Sequence, residues 1–389
     1  MSWFDTLNHI HLKEDLQMVK KLKAGALGAG GVFMNFHYPV YASHPDVEFV
    51  GVYDPAEVSR KRCLSTLGPE GFKESQLFDN QDALLDKGLD LVSVCVPNFQ
   101  HHPVVIACLE KGINVLCEKP PAMNAGQVEE MIDAAKSSGK MLVWQFNNRF
   151  RPEAQWLWKH IFTDDSPIGN VVTAQAEWVR RNGIPGRGSW FTQKKMSGGG
   201  PIIDLSIHVM DLALFGMGYP KPTYVLATAS DLFVNDMDVC GPWGFSDPNG
   251  TMDVETASQG MVLFEGGKSM QYRASWAERI VQERVACVLQ GSKGGVMLER
   301  TFGQDGIDDT AIDKCIIVRQ SYGKPSNDSF VGLLDPYMGR RASVKAYIDS
   351  VLSGKKDPLL PEPEHGLIMM KMIDAMYESA KTGKPVEVK

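Results

Sequence analysis

The chain has 389 residues, enough for two domains, and its 43% hydrophobic and 22% charged content is that of a folded globular protein. A formal charge of −7 without any basic run excludes nucleic acid and anionic membrane surfaces as expected partners. Seven scattered cysteines, with no C-x-x-C pair, exclude a disulfide framework and a zinc site, and no apolar run is long enough to span a bilayer.

Residues 1–21 read as a charged N-terminal extension without the apolar core of a secretory signal, so the cytoplasm is the expected location. The first organised stretch follows at once. Ala24–Leu27 reads as a buried strand, Gly28-Ala29-Gly30-Gly31 as a tight turn, and Val32 onward as a helix ending near His44-Pro45. Val47–Tyr53 is a second strand with Asp54 at its tip. Strand, glycine turn, helix, strand and acid in that order can hold a dinucleotide. The glycines let the backbone approach a pyrophosphate, and the helix N-terminus offers unpaired N–H groups and a positive dipole end.

Gly28, Gly30, Gly31, Val32 and Phe33 are therefore expected on the cofactor side. The third glycine of a G-x-G-x-x-G pattern is missing, because Phe33 stands there. Asp54 lies 21 residues beyond position 33, close to the spacing at which an acid reaches the adenosine ribose. A carboxylate there repels a 2′-phosphate, and no arginine follows directly, so NAD is favoured over NADP.

The chain then alternates. Helices are expected over 56–67, 80–87, 102–111 and 124–138, with strands at 89–96, 113–117 and 141–145. The run Leu89–Val96 has almost no polar alternation, as in a strand covered on both faces. This pattern predicts a doubly wound parallel sheet, in which ligands sit at the carboxyl ends of the strands. Pro97, Asn98, Glu118, Lys119 and Asn148 all fall at or just past such ends.

From residue 150 the pattern changes. A crossover helix over 151–162 precedes strands at 170–180, 223–230, 254–265, 268–276, 284–290, 295–299 and 314–318. Glu265-Gly266-Gly267-Lys268 and Lys293-Gly294-Gly295 are hairpin signals. The expected fold is α/β: a Rossmann domain over 22–149, then an α/β domain over 150–389 with a large, open, mostly antiparallel sheet. Helices over 342–352 and 365–382 close the chain, free to pack back on the first domain. The polar, Gly- and Pro-rich segment 235–253 reads as a loop over the site.

The helix expected over 201–215, PIIDLSIHVMDLALF, is apolar nearly all round. Asp204, His208 and Asp211 interrupt it at i, i+4 and i+7, within roughly 60° of one another on a straight helix. Buried acids and histidines need partners, and a structural Asp–His network is the plain alternative to a site. Gly198-Gly199-Gly200 just before the helix permits close approach of a backbone or a flat ligand. No third His or Cys ligand accompanies Asp204 and His208, so no metal is expected.

Lys119, held at a strand tip before two prolines, is the second candidate. A desolvated lysine can exchange a proton near neutral pH. Oxidising a secondary alcohol by hydride transfer needs a group to take the hydroxyl proton, a task Lys119 and His208 can share, with Asp204 orienting them. Arg180, Arg181 and Trp190 lie where they can shape a substrate pocket.

The glycine turn, Pro97-Asn98 with His101, Glu118-Lys119-Pro120, Asn148-Arg149-Phe150, and Gly198-Gly199-Gly200-Pro201-Ile202-Ile203-Asp204 followed by His208 and Asp211 resemble the Gfo/Idh/MocA oxidoreductases. The resemblance spans about residues 22–389, including Gly291-Ser292-Lys293-Gly294-Gly295 and Gly383-Lys384-Pro385. It implies that Lys119 is the catalytic lysine, that Asp204 and His208 fill the family's Asp and His positions, and that the large sheet joins subunits into a homodimer or homotetramer. Arg180-Arg181-Asn182-Gly183-Ile184-Pro185-Gly186 is similar to a sugar-dehydrogenase subgroup. The expected activity is oxidation of a secondary ring hydroxyl of a sugar, sugar derivative or cyclitol, with Lys119, Arg180, Trp190, Asp204 and His208 around the substrate. Two alternatives stay open: an enzyme that keeps and recycles its NAD for glycoside cleavage or epimerisation, and a non-catalytic ligand sensor.

Overall fold

A computed structural model describes residues 21–242, 245–302, 312–331 and 335–389. The N-terminal extension before residue 21 and residues 243–244 of the expected loop lie outside the described residues.

The first sheet contains β1 (Leu22–Leu27), β2 (Val47–Tyr53), β3 (Leu77–Phe78), β4 (Leu91–Val94), β5 (Asn114–Cys117) and β6 (Leu142–Trp144). They lie in the order β3-β2-β1-β4-β5-β6, and every pairing is parallel. The order reverses between β1 and β4, which opens a crevice at their carboxyl ends. All four residues of β4 are buried, as its unbroken apolar run requires.

The intervening helices are α1 (Tyr38–Ser43), α2 (Glu57–Leu67), α3 (Gln81–Leu85), α4 (His101–Glu110) and α5 (Ala125–Ser138). Asn80 and Asn124 cap α3 and α5 by accepting hydrogen bonds from Ala83 and Gln127 N–H. A π-helical turn over Phe33–His37 runs directly into α1, with Tyr38 N–H bonded to Phe33 O.

After α6 (Pro152–Ile161) comes β7 (Val171–Val179), the centre of a second sheet. Three short helices follow: α7 (Lys194–Ser197), α8 (Pro201–Asp204) and α9 (Ser206–Met217). The remaining strands are β8 (Pro222–Ser230), β9 (Ala257–Phe264), β10 (Ser269–Ser275), β11 (Arg284–Gly291), β12 (Gly294–Thr301), β13 (Ile312–Ser321), β14 (Lys324–Phe330) and β15 (Val386–Glu387). Their order is β14-β13-β12-β11-β7-β10-β9-β8-β15. Among the described residues only β7 and β10 pair in parallel. The sheet is therefore mostly antiparallel, as the hairpin signals indicate.

The chain closes with α10 (Arg340–Ser353) and α11 (Pro363–Thr382). Val344, Tyr347 and Ile348 of α10 pack with Val40 and Tyr41 of α1 over Ala24 and Leu91 of the parallel sheet. The C-terminal segment thus returns to the first sheet and brings its own first residue, Arg340, to the crevice.

Two features differ from the sequence reading. Strands β3, β14 and β15 were not expected. The run KPSNDSF of β14 is mostly exposed at the sheet edge, so it has no apolar face to betray it, and its order comes from pairing with β13. The expected helix over 201–215 is broken at Leu205, and the chain turns by 46° between 194–204 and Ser206–Met217. The three polar residues consequently do not share one face. Asp211 points away from Asp204 and binds Arg149, with Nε–Oδ2 at 2.9 Å and Nη2–Oδ1 at 2.6 Å. Both side chains are buried, and Arg149 also lies 4.4 Å over the Phe215 ring and donates to Tyr219 Oη. A buried bidentate pair of this kind holds α9 to the turn after β6 and satisfies Asp211 without the cavity.

Candidate active site

The site begins at the glycine turn. Gly28 has φ +99°, and a Cβ there would meet the Cys95 carbonyl at 2.5 Å, so only glycine lets this loop press on the end of β4. A Cβ at Gly30 would meet nothing within 4 Å, which leaves the outer face of the loop open. Asp54 braces the turn: Oδ2 accepts from Ala29 N–H at 3.0 Å and Oδ1 from Ala56 N–H at 2.9 Å. Phe33 turns its ring into the core, where it is fully buried and stacks on Phe49 at 5.8 Å. Its side chain packs the helix onto the sheet, the task a third glycine would otherwise serve by close approach.

A cavity of about 240 Å³ lies between the strand tips and the α8–α9 break. Val32, Asn98, His101, Glu118 and Lys119 form one wall. Arg180, Trp190, Asp204 and His208 form the other. The remaining expected positions, Gly28, Gly30, Gly31, Phe33, Asp54, Pro97 and Asn148, are not in this wall. Sequence reasoning missed Trp178, Phe191 and Arg340, which line it together with Cys95, Val96, Pro185 and Leu205. Trp178 carried a visible signal, since it precedes Arg180 by two residues at the end of β7.

Lys119 and Asp204 meet across the cavity. Lys119 Nζ is 2.6 Å from Asp204 Oδ1 and donates to the Asp204 carbonyl at 3.1 Å. The helix break makes the second bond available, because His208 N–H turns to Leu205 O instead. Trp276 Nε1–H donates to Asp204 Oδ2 at 2.9 Å. Burial alone would raise the Asp204 pKa, but the charges of Lys119 and Arg180, with hydrogen bonds from Lys119 and Trp276, hold it below the usual carboxylate value.

Glu118 is also settled. It bonds His37 Nε2 at 2.9 Å, while His37 Nδ1 bonds Ser93 Oγ at 2.8 Å. Burial pushes its pKa up, and His37, Arg340 and Lys119 together outweigh that and bring it down. Asn98 Nδ2 donates to Ser197 O at 2.7 Å, and the two His101 ring nitrogens face Pro120 O and Val96 O at 2.7 and 2.9 Å. Asn98 thus ties the tip after β4 to the second domain's glycine run, and His101 ties the tips after β4 and β5 to each other. That run approaches protein rather than ligand: a Cβ at Gly199 would overlap Tyr377 Oη, and one at Gly200 would overlap the Glu255 carbonyl.

His208 differs. It is 3% exposed, and its Nδ1 has no hydrogen-bond partner among the described residues. Burial, then the charges of Lys119, Arg340 and Arg180, drive its pKa well below the usual histidine value, so the ring is neutral. Arg180 lines the cavity and pairs with Glu283 at 3.4 Å, whereas Arg181 is exposed and outside the wall. The described residues of segment 235–253 do not line the cavity either. They back the segment that does: Thr192 Oγ1 donates to Thr251 O at 2.8 Å, and Lys194 N–H to Asp253 Oδ1 at 2.6 Å.

These features fit a dinucleotide. Among the described residues both amide atoms of the buried Asn148 lack a partner, as does His208 Nδ1, and the face of the glycine turn at Gly30 is clear. The family model described as an oxidoreductase family with an NAD-binding Rossmann fold matches residues 22–146, and the GFO/IDH/MocA C-terminal domain model matches residues 162–297. D-glucoside 3-dehydrogenase of Escherichia coli strain K12 is 31% identical, over 94% of this chain and 97% of its own length. A protein of Amycolatopsis mediterranei strain S699, named as a putative UDP-kanosamine synthase oxidoreductase subunit, is 31% identical over 72% of this chain and 76% of its own. A crystal structure of levoglucosan dehydrogenase with NADH and levoglucosan has the same fold, with TM-score 0.76 and 18% identity over 95% of this chain and 99% of that one. The chain belongs to the GFO/IDH/MocA oxidoreductases, and its first domain is the NAD-binding Rossmann domain of that family.

The neutral burial of His208 has a signed consequence for stability. An unfolded histidine takes up a proton near pH 6.5, and the folded one does not, so this residue weakens the fold as pH falls below that value. Unfolding free energies of the wild type and His208→Asn, measured in urea from pH 8 to pH 5, should diverge below pH ~6 by about 1.4 kcal/mol per pH unit, to the wild type's disadvantage. Parallel profiles would contradict the buried, neutral ring.

Proposed function

We propose that the chain oxidises a secondary ring hydroxyl of a sugar, sugar derivative or cyclitol, with NAD as hydride acceptor and Lys119 and His208 handling the proton. The observation that carries this is the convergence of Lys119, Asp204 and His208 in one cavity at the carboxyl ends of the Rossmann strands. Kinship with a D-glucoside 3-dehydrogenase supports the sugar class.

Bound NAD supplies the acceptor for the hydride that leaves the carbinol carbon. The protein's own groups manage the hydroxyl. An ammonium has three N–H donors. Asp204 takes two from Lys119, through Oδ1 and its carbonyl, which leaves one for the substrate oxygen. That contact orients the hydroxyl and stabilises negative charge as it develops on the oxygen. The hydroxyl proton passes to the neutral His208, or to Lys119 as Lys119 hands one of its own protons to Asp204 Oδ1. Trp276 keeps Asp204 in place throughout. Trp190 and Phe191, stacked with centroids 3.8 Å apart, offer an apolar wall for a sugar ring.

The purified protein with NAD, assayed against monosaccharides, glycosides, anhydrosugars and inositols, should form NADH with at least one of them. Lys119→Ala should lower kcat/KM by about 10²- to 10⁴-fold. Sugar-dependent NADH formation that survives this substitution unchanged would end the mechanism. Conversion of sugar without free NADH would instead point to retained, recycled NAD.

We also propose that the outer face of the large sheet joins subunits. Val172, Tyr224, Leu226, Met261 and Leu263 expose apolar side chains there, around an open groove of about 440 Å³. Light scattering at micromolar concentration should give a dimer or tetramer, and a monomer would refute this.

A further inference from the structure

The cavity contains a cation that the proposed chemistry does not use. Arg340 is the first residue of α10, some 190 residues beyond the Rossmann strands. The turn that delivers it is fixed on every side. Asp335 accepts from Tyr337 N–H at 2.9 Å and Gly339 N–H at 2.6 Å, and Arg300 donates to the Asp335 carbonyl at 3.0 Å. Asn147, in the turn after β6, donates to Met338 O at 2.6 Å. A Cβ at Gly339 would meet the Asn147 carbonyl at 2.3 Å, so the two turns are in van der Waals contact. From this platform the Arg340 guanidinium lies 4.8 Å over the Phe36 ring, on the helix that follows the glycine turn, and faces the cavity alongside Val32.

Its counter-charge is incomplete. Among the described residues its guanidinium donates to the Tyr337 carbonyl at 3.5 Å. No carboxylate stands within ion-pair distance among the described residues. The acids of the cavity wall are turned elsewhere, Glu118 to His37 and Asp204 to Lys119 and Trp276. Burial accordingly draws the Arg340 pKa below the usual arginine value, and Glu118 and Asp204 only partly oppose it. A half-buried guanidinium without a carboxylate beside it is incompletely solvated, and its planar fork matches the two oxygens of a phosphate or carboxylate. Binding of oxidised NAD would add a further positive ring to the same cavity, which raises the demand for an anion.

We propose that Arg340 is an oxyanion-holding residue of this cavity, engaged either by the pyrophosphate of the dinucleotide or by a phosphate or carboxylate group on the sugar. The proposal rests on the dehydrogenase reading for the identity of its ligands, but its test does not need turnover. Isothermal calorimetry on the wild type, Arg340→Gln and Arg340→Lys would measure binding of NADH, and then, with NADH present, of glucose 6-phosphate, glucuronate and methyl glucoside. If the pyrophosphate is the ligand, Arg340→Gln weakens NADH about tenfold or more. If the sugar's anion is the ligand, NADH affinity holds and the two anionic sugars weaken about tenfold, with methyl glucoside little changed. In either case Arg340→Lys, which keeps the charge and loses the fork, falls between the wild type and Arg340→Gln, and so guards against a misfolded variant. The proposal is overturned if NADH and both anionic sugars stay within about twofold, or if charged and neutral sugars weaken equally while NADH affinity holds. A wild type that binds these probes but oxidises no sugar would sink the dehydrogenase reading and leave the role of Arg340 standing.

Discussion

Lys119 and Asp204 lie 85 residues apart and touch at 2.6 Å, and the site exists because they do. The lysine ends a strand of the first sheet, and the aspartate stands at a break in a helix packed on the second. Their side chains are only 15% and 12% exposed, so each would suffer a large desolvation cost alone. The pair is held in register by two further bonds, from Lys119 to the Asp204 carbonyl and from Trp276 to the carboxylate. Remove the break at Leu205 and that carbonyl would return to the helix ladder.

Around this contact the protein partners its buried charges in layers. His37, Ser93 and Tyr41 form a chain of short hydrogen bonds behind Glu118. Glu255 accepts from Gly200 and Ile202 N–H and from Tyr377, which anchors the start of α8, the helix that ends at Asp204. Arg149 and Asp211 lock the middle of α9. Against that background the incompletely partnered groups stand out. His208 Nδ1 and the Arg340 guanidinium face the cavity without a full set of partners among the described residues, and a ligand there would supply what the protein does not.

Much of this was legible in the sequence, and for identifiable reasons. Parallel strands buried on both faces read as unbroken apolar runs, and the hairpins of the second sheet carry paired glycines. Lys119, Asp204 and His208 could be singled out because each is a polar residue set in an apolar context, and the structure brings all three to one cavity. Other features left no local trace. The break at Leu205 changes nothing in composition, so a straight helix placed Asp211 beside Asp204, whereas its partner is Arg149. Phe33 looked like a departure within a cofactor loop, yet its ring belongs to the core. Arg340 looks like any arginine at a helix start, and only the return of α10 to the first sheet carries it to the crevice. Strand β14 is polar because both its faces are largely exposed.

The central claim is that Lys119 and Asp204 act as one unit across the two domains. A double-mutant cycle tests this most directly: kcat/KM for the preferred sugar in Lys119→Met, Asp204→Asn and the double variant. If the two residues work through each other, the double variant loses little more than the worse single one, and the product of the single losses exceeds the observed loss by at least about tenfold. Losses that simply multiply would show two independent residues, and the contact at the centre of this account would be incidental to function.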